Sequence, residues 1–335
     1  MRYLILLLCV AQLAGCATRL SADERTAVAG KTYVITGASS GFGKGVALEL
    51  AAMRANVVLA ARRTDALQAV AAEATARGGS ALAVTTDVSR PDEVQRLLDA
   101  AVARFGRVDV WINNAAVGAI GVFDTVAVED HARIVDVNLK GLIYGSHVAL
   151  RQFRRQGAGT LVNIGSVESV IPQAYHASYS ATKAATLSLG RSLNEELRLT
   201  GAGNIAVATV LPWATDTPFF NHAANYSGGT PRMPLMDEPQ KVVDAIVWIS
   251  VNPQEELAVG WKAKTAYAGA RLAPDLAERA AASAAHRYQF ETAPPAPVTS
   301  GALHQPMAGT TGVDGGHRER IERENERNAA QRRGE

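Results

Sequence analysis

The sequence contains only two cysteines in 335 residues, Cys9 and Cys16, and both lie close to its start. A disulfide framework in the body of the protein is therefore excluded, and so is a zinc site built on cysteine pairs. No repeat of fixed period occurs, which excludes a solenoid or propeller. The net charge of +2 indicates neither an acidic nor a basic partner, and the sequence predicts no metal and no nucleic acid.

An apolar run of membrane-spanning length is also missing near the N-terminus. Residues 3–13 are almost wholly apolar, whereas a spanning helix needs about 20 such residues. Residues 1–18 therefore predict a signal peptide. Its end, Leu13-Ala14-Gly15-Cys16, resembles a bacterial lipobox, which implies that Cys16 carries a lipid and attaches the protein to a membrane. An uncleaved N-terminal anchor is the alternative, and the side of the membrane stays open.

The body of the chain, residues 28–290, alternates β-rich and helical segments and indicates one α/β domain. Residues 291–335 are rich in Pro, Gly, Thr and Ala and then in Arg and Glu, which predicts a disordered tail. The first β-rich run, residues 31–36, leads directly into Gly37-Ala38-Ser39-Ser40-Gly41-Phe42-Gly43, and a helical pattern follows. A glycine-rich turn between a strand and a helix N-terminus is typical of pyrophosphate binding.

Tyr179 and Lys183 are four residues apart and share one face of a predicted helix. An ammonium beside a phenol favours the phenolate, so Lys183 is expected to lower the pKa of Tyr179 toward the range of a general acid and base. The pair alone is also typical of an ordinary helix surface. Ser166, thirteen residues upstream at the end of a strand-like run, and Asn138 in a predicted helix favour a catalytic interpretation.

These motifs together resemble the short-chain dehydrogenase/reductase family. The resemblance covers residues 31–264 and implies a doubly wound, Rossmann-type parallel sheet of about seven strands in a single domain. It also implies hydride transfer between a nicotinamide and a carbonyl or alcohol. Tyr179 would be the general acid or base, Lys183 would support it and bind the nicotinamide ribose, Ser166 would hold the substrate oxygen, and Asn138 would hold a water linked to Lys183.

The resemblance also implies the cofactor contacts, residue by residue. The predicted cofactor-binding residues are Gly37, Ser39, Ser40, Gly41, Phe42, Gly43, Arg62, Asp87, Val88, Asn114, Ala115, Tyr179, Lys183, Pro212 and Thr217. Two positions depart from the family pattern, because Ala116 and Trp213 stand where glycine is usual. Trp213 is expected to narrow or re-aim the pocket beside the nicotinamide.

The second predicted strand, residues 56–61, ends in Arg62 and Arg63 rather than in an acid. A carboxylate there would accept hydrogen bonds from the ribose hydroxyls of NAD, whereas guanidinium groups suit a 2′-phosphate. The sequence therefore predicts NADP, chiefly through Arg62. The family's other basic residue that marks NADP binding lies just before the second glycine of the loop. This chain has Ser40 at that position, so NAD stays an alternative.

The substrate is predicted to contact a variable loop over residues 219–237, which begins with two phenylalanines. Glu168 is expected either to shape the substrate pocket or to be solvated, and Tyr175 to line the pocket at most. Long helices around Asn138 and Tyr179 predict a homodimer or homotetramer, by the family's helix pairing. Two alternatives to an NADP-dependent oxidoreductase stay open: a catalytically weak, lipid-anchored nucleotide-binding scaffold, and a family member with epimerase or lyase chemistry.

Overall fold

Seven parallel strands form the main sheet of the protein, in a computed structural model that describes residues 18–334. Residues 1–17, with the predicted lipidation site Cys16, lie outside the described residues. The strands are β1 (Thr32–Thr36), β2 (Asn56–Ala61), β3 (Ser80–Thr85), β4 (Val110–Asn113), β6 (Gly159–Ile164), β7 (Ile205–Leu211) and β9 (Glu256–Ala258), in the spatial order β3-β2-β1-β4-β6-β7-β9. Two short strands, β5 (Ala119–Ile120) and β8 (Ala224–Asn225), pair with each other beyond the main sheet.

Helices cover both faces of the sheet. In chain order they are α1 (Ala22–Val28), α2 (Gly41–Ala52), α3 (Thr64–Ala76), α4 (Pro91–Phe105), α5 (Val128–Val135), α6 (Gly141–Gln156), α7 (Ala177–Leu199), α8 (Phe219–His222), α9 (Pro239–Val251), α10 (Gly260–Leu272), α11 (Pro274–His286) and α12 (His317–Gly334). Helices α2, α3 and α9 pack on one face, and α4, α6 and α7 pack on the other. Because both faces are covered, central strands such as β1 are buried at every residue, as the continuous apolar runs of the sequence indicate.

The strand order reverses between β1 and β4, which are direct neighbours. From β1 the chain moves outward to β2 and β3, and from β4 it moves the other way to β6, β7 and β9. The connections that leave β1 and β4 therefore diverge at the carboxyl edge of the sheet and open a crevice there, the usual ligand position in such folds. The predicted doubly wound parallel sheet of about seven strands is confirmed.

The last strand of the main sheet is short. β9 ends at Ala258, and α10 starts at Gly260. Gly260 has a φ of +75°, which takes the backbone out of the extended conformation. The following residues favour a helix, and α10 and α11 then form a pair of helices beside the carboxyl edge of the sheet.

The C-terminal segment differs from the disordered tail predicted for residues 291–335. In the structure Leu303 is fully buried against Ala119, Ile134 and Ala224, and the residues after His317 form α12. The composition of this segment is indeed that of a disordered chain. The buried Leu303 and hydrogen bonds with the rest of the domain nevertheless order it, and composition does not reveal such contacts. Within residues 18–334, no helix is both long enough and apolar enough to span a bilayer.

Candidate active site

The four predicted catalytic residues come from three elements that meet at the carboxyl edge of the sheet. Ser166 directly follows β6, while Tyr179 and Lys183 lie on successive turns of α7. Asn138 lies in a π-helical turn, Asp136–Lys140, between α5 and α6. Its side chain donates a hydrogen bond to Thr182 Oγ1 on α7 (3.2 Å), which links this turn to the helix of Tyr179 and Lys183. Ser166, Tyr179, Lys183 and Asn138 form the predicted catalytic group.

Lys183 is the most constrained member of this group. Its side chain is buried, and Nζ donates a hydrogen bond to the Ile164 carbonyl at 2.6 Å. Nζ lies 5.4 Å from the centroid of the Tyr179 ring. Burial lowers the pKa of Lys183 to about 8, and the negative charge of Glu168 opposes that shift. The ammonium is therefore poised to lose its proton just above neutral pH.

Tyr179 lines the cavity of the site. Burial of the hydroxyl raises its pKa above the ordinary value, the charge of Glu168 raises it further, and a hydrogen bond with Ser166 opposes the rise. The sequence predicted that Lys183 lowers this pKa; in the structure, burial outweighs any such effect. Tyr179 is consequently a neutral phenol at pH 7, the form that can donate a proton.

Glu168 is a buried carboxylate beside the catalytic group, and not a solvated one. One oxygen contacts His176 Nδ1 at 3.1 Å, and the other accepts a hydrogen bond from Ser180 Oγ at 2.6 Å. Both Glu168 and His176 line the cavity next to Ser166. Glu168 therefore fixes the turn after β6 to the start of α7 and places a negative charge near Tyr179 and Lys183.

Asn138 is held rigidly by the backbone around it. Its Oδ1 accepts a hydrogen bond from the Val117 N–H (2.8 Å), and its Nδ2 donates one to the Val117 carbonyl (2.9 Å). Asn138 and Lys183 both line a small internal cavity of about 10 Å³. This volume is about that of one water molecule, and the walls are polar enough to hold it.

The glycine-rich loop after β1 lies tightly against the end of β4. A Cβ atom on Gly37, which has a φ of +68°, would come within 2.9 Å of Ala115 Cα. Asn114 Nδ2 donates hydrogen bonds to the carbonyls of Thr36 (2.8 Å) and Gly37 (3.2 Å). Only glycine permits this approach, so α2 begins directly at the crevice, where Gly41 and Phe42 line its wall.

The remaining predicted cofactor residues lie along the same cavity. It has a volume of about 880 Å³ and reaches from the glycine-rich loop and Arg62 to the catalytic group. The predicted cofactor residues along its wall are Gly37, Ser39, Ser40, Gly41, Phe42, Arg62, Asp87, Val88, Asn114, Ala115, Tyr179, Lys183, Pro212 and Thr217. Gly43 does not line it, but packs inside the loop against Gly37 and Asn114. A cavity of this volume, with a helix N-terminus and arginines at one end and Tyr179 at the other, fits a nicotinamide dinucleotide.

The end of the cavity near Arg62 and Asp87 is the predicted cofactor end of the site. The sequence did not predict two of the contacts there. Arg133 forms an ion pair with Asp87 at 2.6 Å and also donates to Ser89 Oγ at 2.6 Å. Burial would raise the pKa of Asp87, but the hydrogen bonds from Ser89 and Arg133 lower it overall. Arg62 donates hydrogen bonds to backbone carbonyls of the C-terminal segment rather than extending freely into solvent. No local motif marks Arg133 or that segment, because their partners are distant in sequence.

Two residues that the sequence placed near the pocket are now located. Trp213, which replaces the family's usual glycine, lines the cavity. Tyr175 instead packs against Phe290, with its hydroxyl 2.7 Å from His286 Nδ1, and it is not among the residues that line the cavity. Within residues 18–334, no three His, Cys, Asp or Glu side chains are placed to hold a metal ion.

Comparisons with known proteins agree with this geometry. The model of the short chain dehydrogenase family matches residues 31–226. An uncharacterized oxidoreductase of Bacillus subtilis is 32% identical over 282 residues, which cover 83% of this chain and 79% of that protein. The 3beta-hydroxysteroid dehydrogenase 1 of Eggerthella lenta is 34% identical over 232 residues, covering 66% and 87% of the two chains.

Two solved structures resemble the fold. The 3-ketoacyl-(acyl-carrier-protein) reductase of Brucella melitensis, complexed with NADH, has a TM-score of 0.59 and 28% identity, over 69% of this chain and 96% of its own. An alcohol dehydrogenase of Thermococcus sibiricus, complexed with 5-hydroxy-NADP, has a TM-score of 0.58 and 27% identity, over 69% and 94%. With more than half of its residues matched by the family model, this chain belongs to the short-chain dehydrogenase family, the NAD(P)-dependent oxidoreductases of alcohol and carbonyl groups.

Proposed function

We propose that the protein interconverts a carbonyl and an alcohol with NADP(H), and that Tyr179 exchanges the proton with the substrate oxygen. The observation that carries this proposal is the single cavity that joins Tyr179, Ser166 and Lys183 to the glycine-rich loop and Arg62. A hydride donor and a proton donor must reach the same carbonyl from adjacent positions, and this cavity has room for both.

In the reductive direction the neutral phenol of Tyr179 gives its proton to the substrate oxygen as negative charge develops there. Ser166 donates a hydrogen bond to the same oxygen and stabilises that charge. The ammonium of Lys183, close to the Tyr179 ring, stabilises the phenolate that is left. The small cavity lined by Asn138 and Lys183 has room for one water. This water, held by Asn138, would pass a proton through Lys183 back to Tyr179. In the oxidative direction the same groups act in reverse.

The cofactor supplies the hydride when bound, and the protein binds and orients it. The glycine-rich loop and the N-terminus of α2 would hold the pyrophosphate, and Asn114, Ala115, Pro212 and Thr217 would surround the nicotinamide half. Arg62 would hold the 2′-phosphate that distinguishes NADP from NAD. The two similar structures carry one cofactor of each kind, so the preference rests on Arg62 and Arg63 at the end of β2.

The substrate is proposed to be apolar around its reacting carbonyl. Beyond Tyr179 the cavity is lined by Phe219, Met233, Leu235 and Trp261, and by small residues of α10 and α11. The aromatic rings of Tyr179 and Phe219 lie 5.4 Å apart between centroids. Residues 219–237 thus contribute apolar side chains to the wall of the cavity.

NADPH oxidation tests the function directly. Purified protein without residues 1–17 is mixed with NADPH and with a panel of aldehydes, quinones, alkyl ketones and ketosteroids, and absorbance at the nicotinamide band is followed. We expect turnover with apolar ketones. Tight NADPH binding without turnover across the panel would contradict the proposal and favour the nucleotide-binding scaffold.

The pH profile should report on Lys183. Its pKa of about 8 means that the ammonium is charged below this pH and neutral above it, so the rate of carbonyl reduction should fall as the pH rises through about 8. Glu168→Gln removes the negative charge that raises the pKa of both Lys183 and Tyr179. In that variant the fall should therefore occur at lower pH. The amide oxygen can still accept the hydrogen bond from Ser180.

The matched control is Glu278→Gln, which removes an exposed carboxylate of α11. Initial rates of NADPH oxidation are measured between pH 6 and pH 10. The pH at which the rate falls should shift only in the Glu168 variant. Superimposable profiles for the two variants and the native protein would contradict the role of Glu168.

The predicted membrane attachment through Cys16 stays a proposal. It rests on the apolar run and the lipobox-like residues 13–16. Mass spectrometry of the mature N-terminus should find an acylated peptide that begins at Cys16, and an intact peptide from Met1 to Arg19 would rule the lipid out. The side of the membrane is a separate question, answered by protease access to intact and permeabilised cells.

The predicted homodimer or homotetramer is likewise proposed. Helices α6 and α7 leave Ile143, which is 43% exposed, and Ala184 on the protein surface, and small apolar surface residues suit helix pairing across a two-fold axis. Light scattering at micromolar concentration should give a multiple of the monomer mass. A monomer at every concentration tested would contradict this.

A further inference from the structure

The C-terminal strap, defined as residues 301–318, crosses the cofactor end of the site and is anchored on both sides. At one end Leu303 is fully buried against Ile134 and Ala224. At the other end the buried carboxylate of Asp216 accepts hydrogen bonds from the backbone N–H groups of His317 (2.8 Å) and Arg318 (2.7 Å). These anchors fix the ends of the strap, while residues 308–312 between them are exposed.

Backbone carbonyls of the strap contact the groups predicted to hold the phosphates. Arg62 donates to the carbonyls of Ala302 (2.5 Å), Leu303 (3.0 Å) and His304 (3.2 Å). The N–H of Gly41, in the glycine-rich loop, donates to the Gly312 carbonyl at 2.9 Å. A guanidinium has five N–H donors, and the strap takes three from Arg62, so donors remain for a phosphate while the strap stays in place.

The strap forms a wall of the cavity and does not fill it. Ala302, Pro306 and Met307 line the same cavity as Arg62 and Asp87, and about 880 Å³ stays open with the strap in position. The strap lies beyond residue 226, where the match to the family model ends. The family model therefore does not describe the strap.

We infer that the strap is part of the cofactor site: it closes over the adenosine and pyrophosphate end of the dinucleotide, contacts it through Pro306 and Met307, and slows its release. This inference rests on the proposed function. The dinucleotide enters when residues 305–311 lift between the two anchors, and the anchors return them to the closed position. Gly309 within this stretch and Gly312 directly after it give the backbone the freedom that such a movement needs.

The test measures release of NADPH from the binary complex, without substrate, by stopped-flow fluorescence with excess NADP⁺ as the displacing ligand. Leu303→Ser removes one anchor, and we expect release to become at least about tenfold faster, because interface changes act mainly on dissociation rates. Val298→Ser is the matched control, since Val298 is 62% exposed and precedes the strap. Its release rate should equal that of the native protein.

A second variant guards against misfolding of the first. Met307→Ala shortens a wall side chain in the strap without removing an anchor, and release should again be faster, with an unchanged melting temperature in the absence of nucleotide. Native release rates in both variants, or tighter NADPH binding in either, would overturn the inference; tighter binding would mean that the strap obstructs the site. A native protein that binds neither NADPH nor NADH would overturn the proposed function and the inference together.

Discussion

Replacing Tyr179 by phenylalanine should lower kcat for carbonyl reduction by about 10²–10⁴-fold, the range that a positioned general acid contributes. The substitution removes only the hydroxyl, so the ring still packs against Phe219 and the cavity keeps its shape. Affinity for NADPH should stay within about twofold, because the lost hydroxyl is the group proposed to contact the substrate oxygen. The loss therefore belongs to the proton transfer and not to binding.

The matched control is Tyr175→Phe, which removes a hydroxyl four residues away. The Tyr175 hydroxyl forms a hydrogen bond with His286, and its ring packs against Phe290. Loss of this hydroxyl should therefore leave the rate nearly unchanged. Steady-state rates and NADPH titrations of both variants, with circular dichroism to check folding, separate the two roles. If the Tyr179 variant retained a large share of the native rate, Tyr179 would not be the proton donor.

Lys183→Ala should weaken both turnover and cofactor binding. Its ammonium bonds the Ile164 carbonyl and lies over the Tyr179 ring, so the alanine leaves a buried carbonyl unpaired as well as removing the charge. This pattern, a fall in kcat together with a rise in the NADPH Kd, differs from that of the Tyr179 variant and distinguishes the two residues.

Replacing Arg62 by alanine should reduce the preference for NADPH over NADH by about 10- to 100-fold, which corresponds to one charge-assisted hydrogen-bonded contact. The margin should shrink with added salt, because a phosphate–guanidinium contact near the surface is screened. Arg62 also holds the strap through three carbonyls, so the affinity for NADH should fall slightly too. The ratio of the two affinities isolates the contribution of the 2′-phosphate.

Arg77→Ala provides the control, since it removes the same charge from the exposed end of α3, where Arg77 pairs with Glu73. The ratio of NADPH to NADH affinity, from fluorescence titration at two salt concentrations, should change only in the Arg62 variant. Equal affinity of the native protein for NADPH and NADH would contradict the prediction that the cofactor is NADP.

The parts of the site that could be predicted are those that short motifs encode. The glycine-rich loop follows its strand within a few residues, and Tyr179 and Lys183 share one helix, so local spacing alone places them. Arg133 could not be predicted, because it reaches Asp87 across 46 positions of sequence. The buried state of Glu168 likewise depends on Ser180 and His176, which fold back onto it.

By itself, then, the sequence indicated the doubly wound sheet and the order of its motifs, and it singled out the four residues of the proposed catalytic group, because hydrophobic periodicity and local spacing carry that information. Only the tertiary structure decided the protonation of Tyr179, the partners of Arg62 and the course of the C-terminal strap. Desolvation of a phenol depends on everything that surrounds it. Residues 301–318 are ordered by contacts of Leu303 and Asp216, whose partners lie in separate parts of the chain. The segment therefore folds against the domain although its composition is typical of disordered chains.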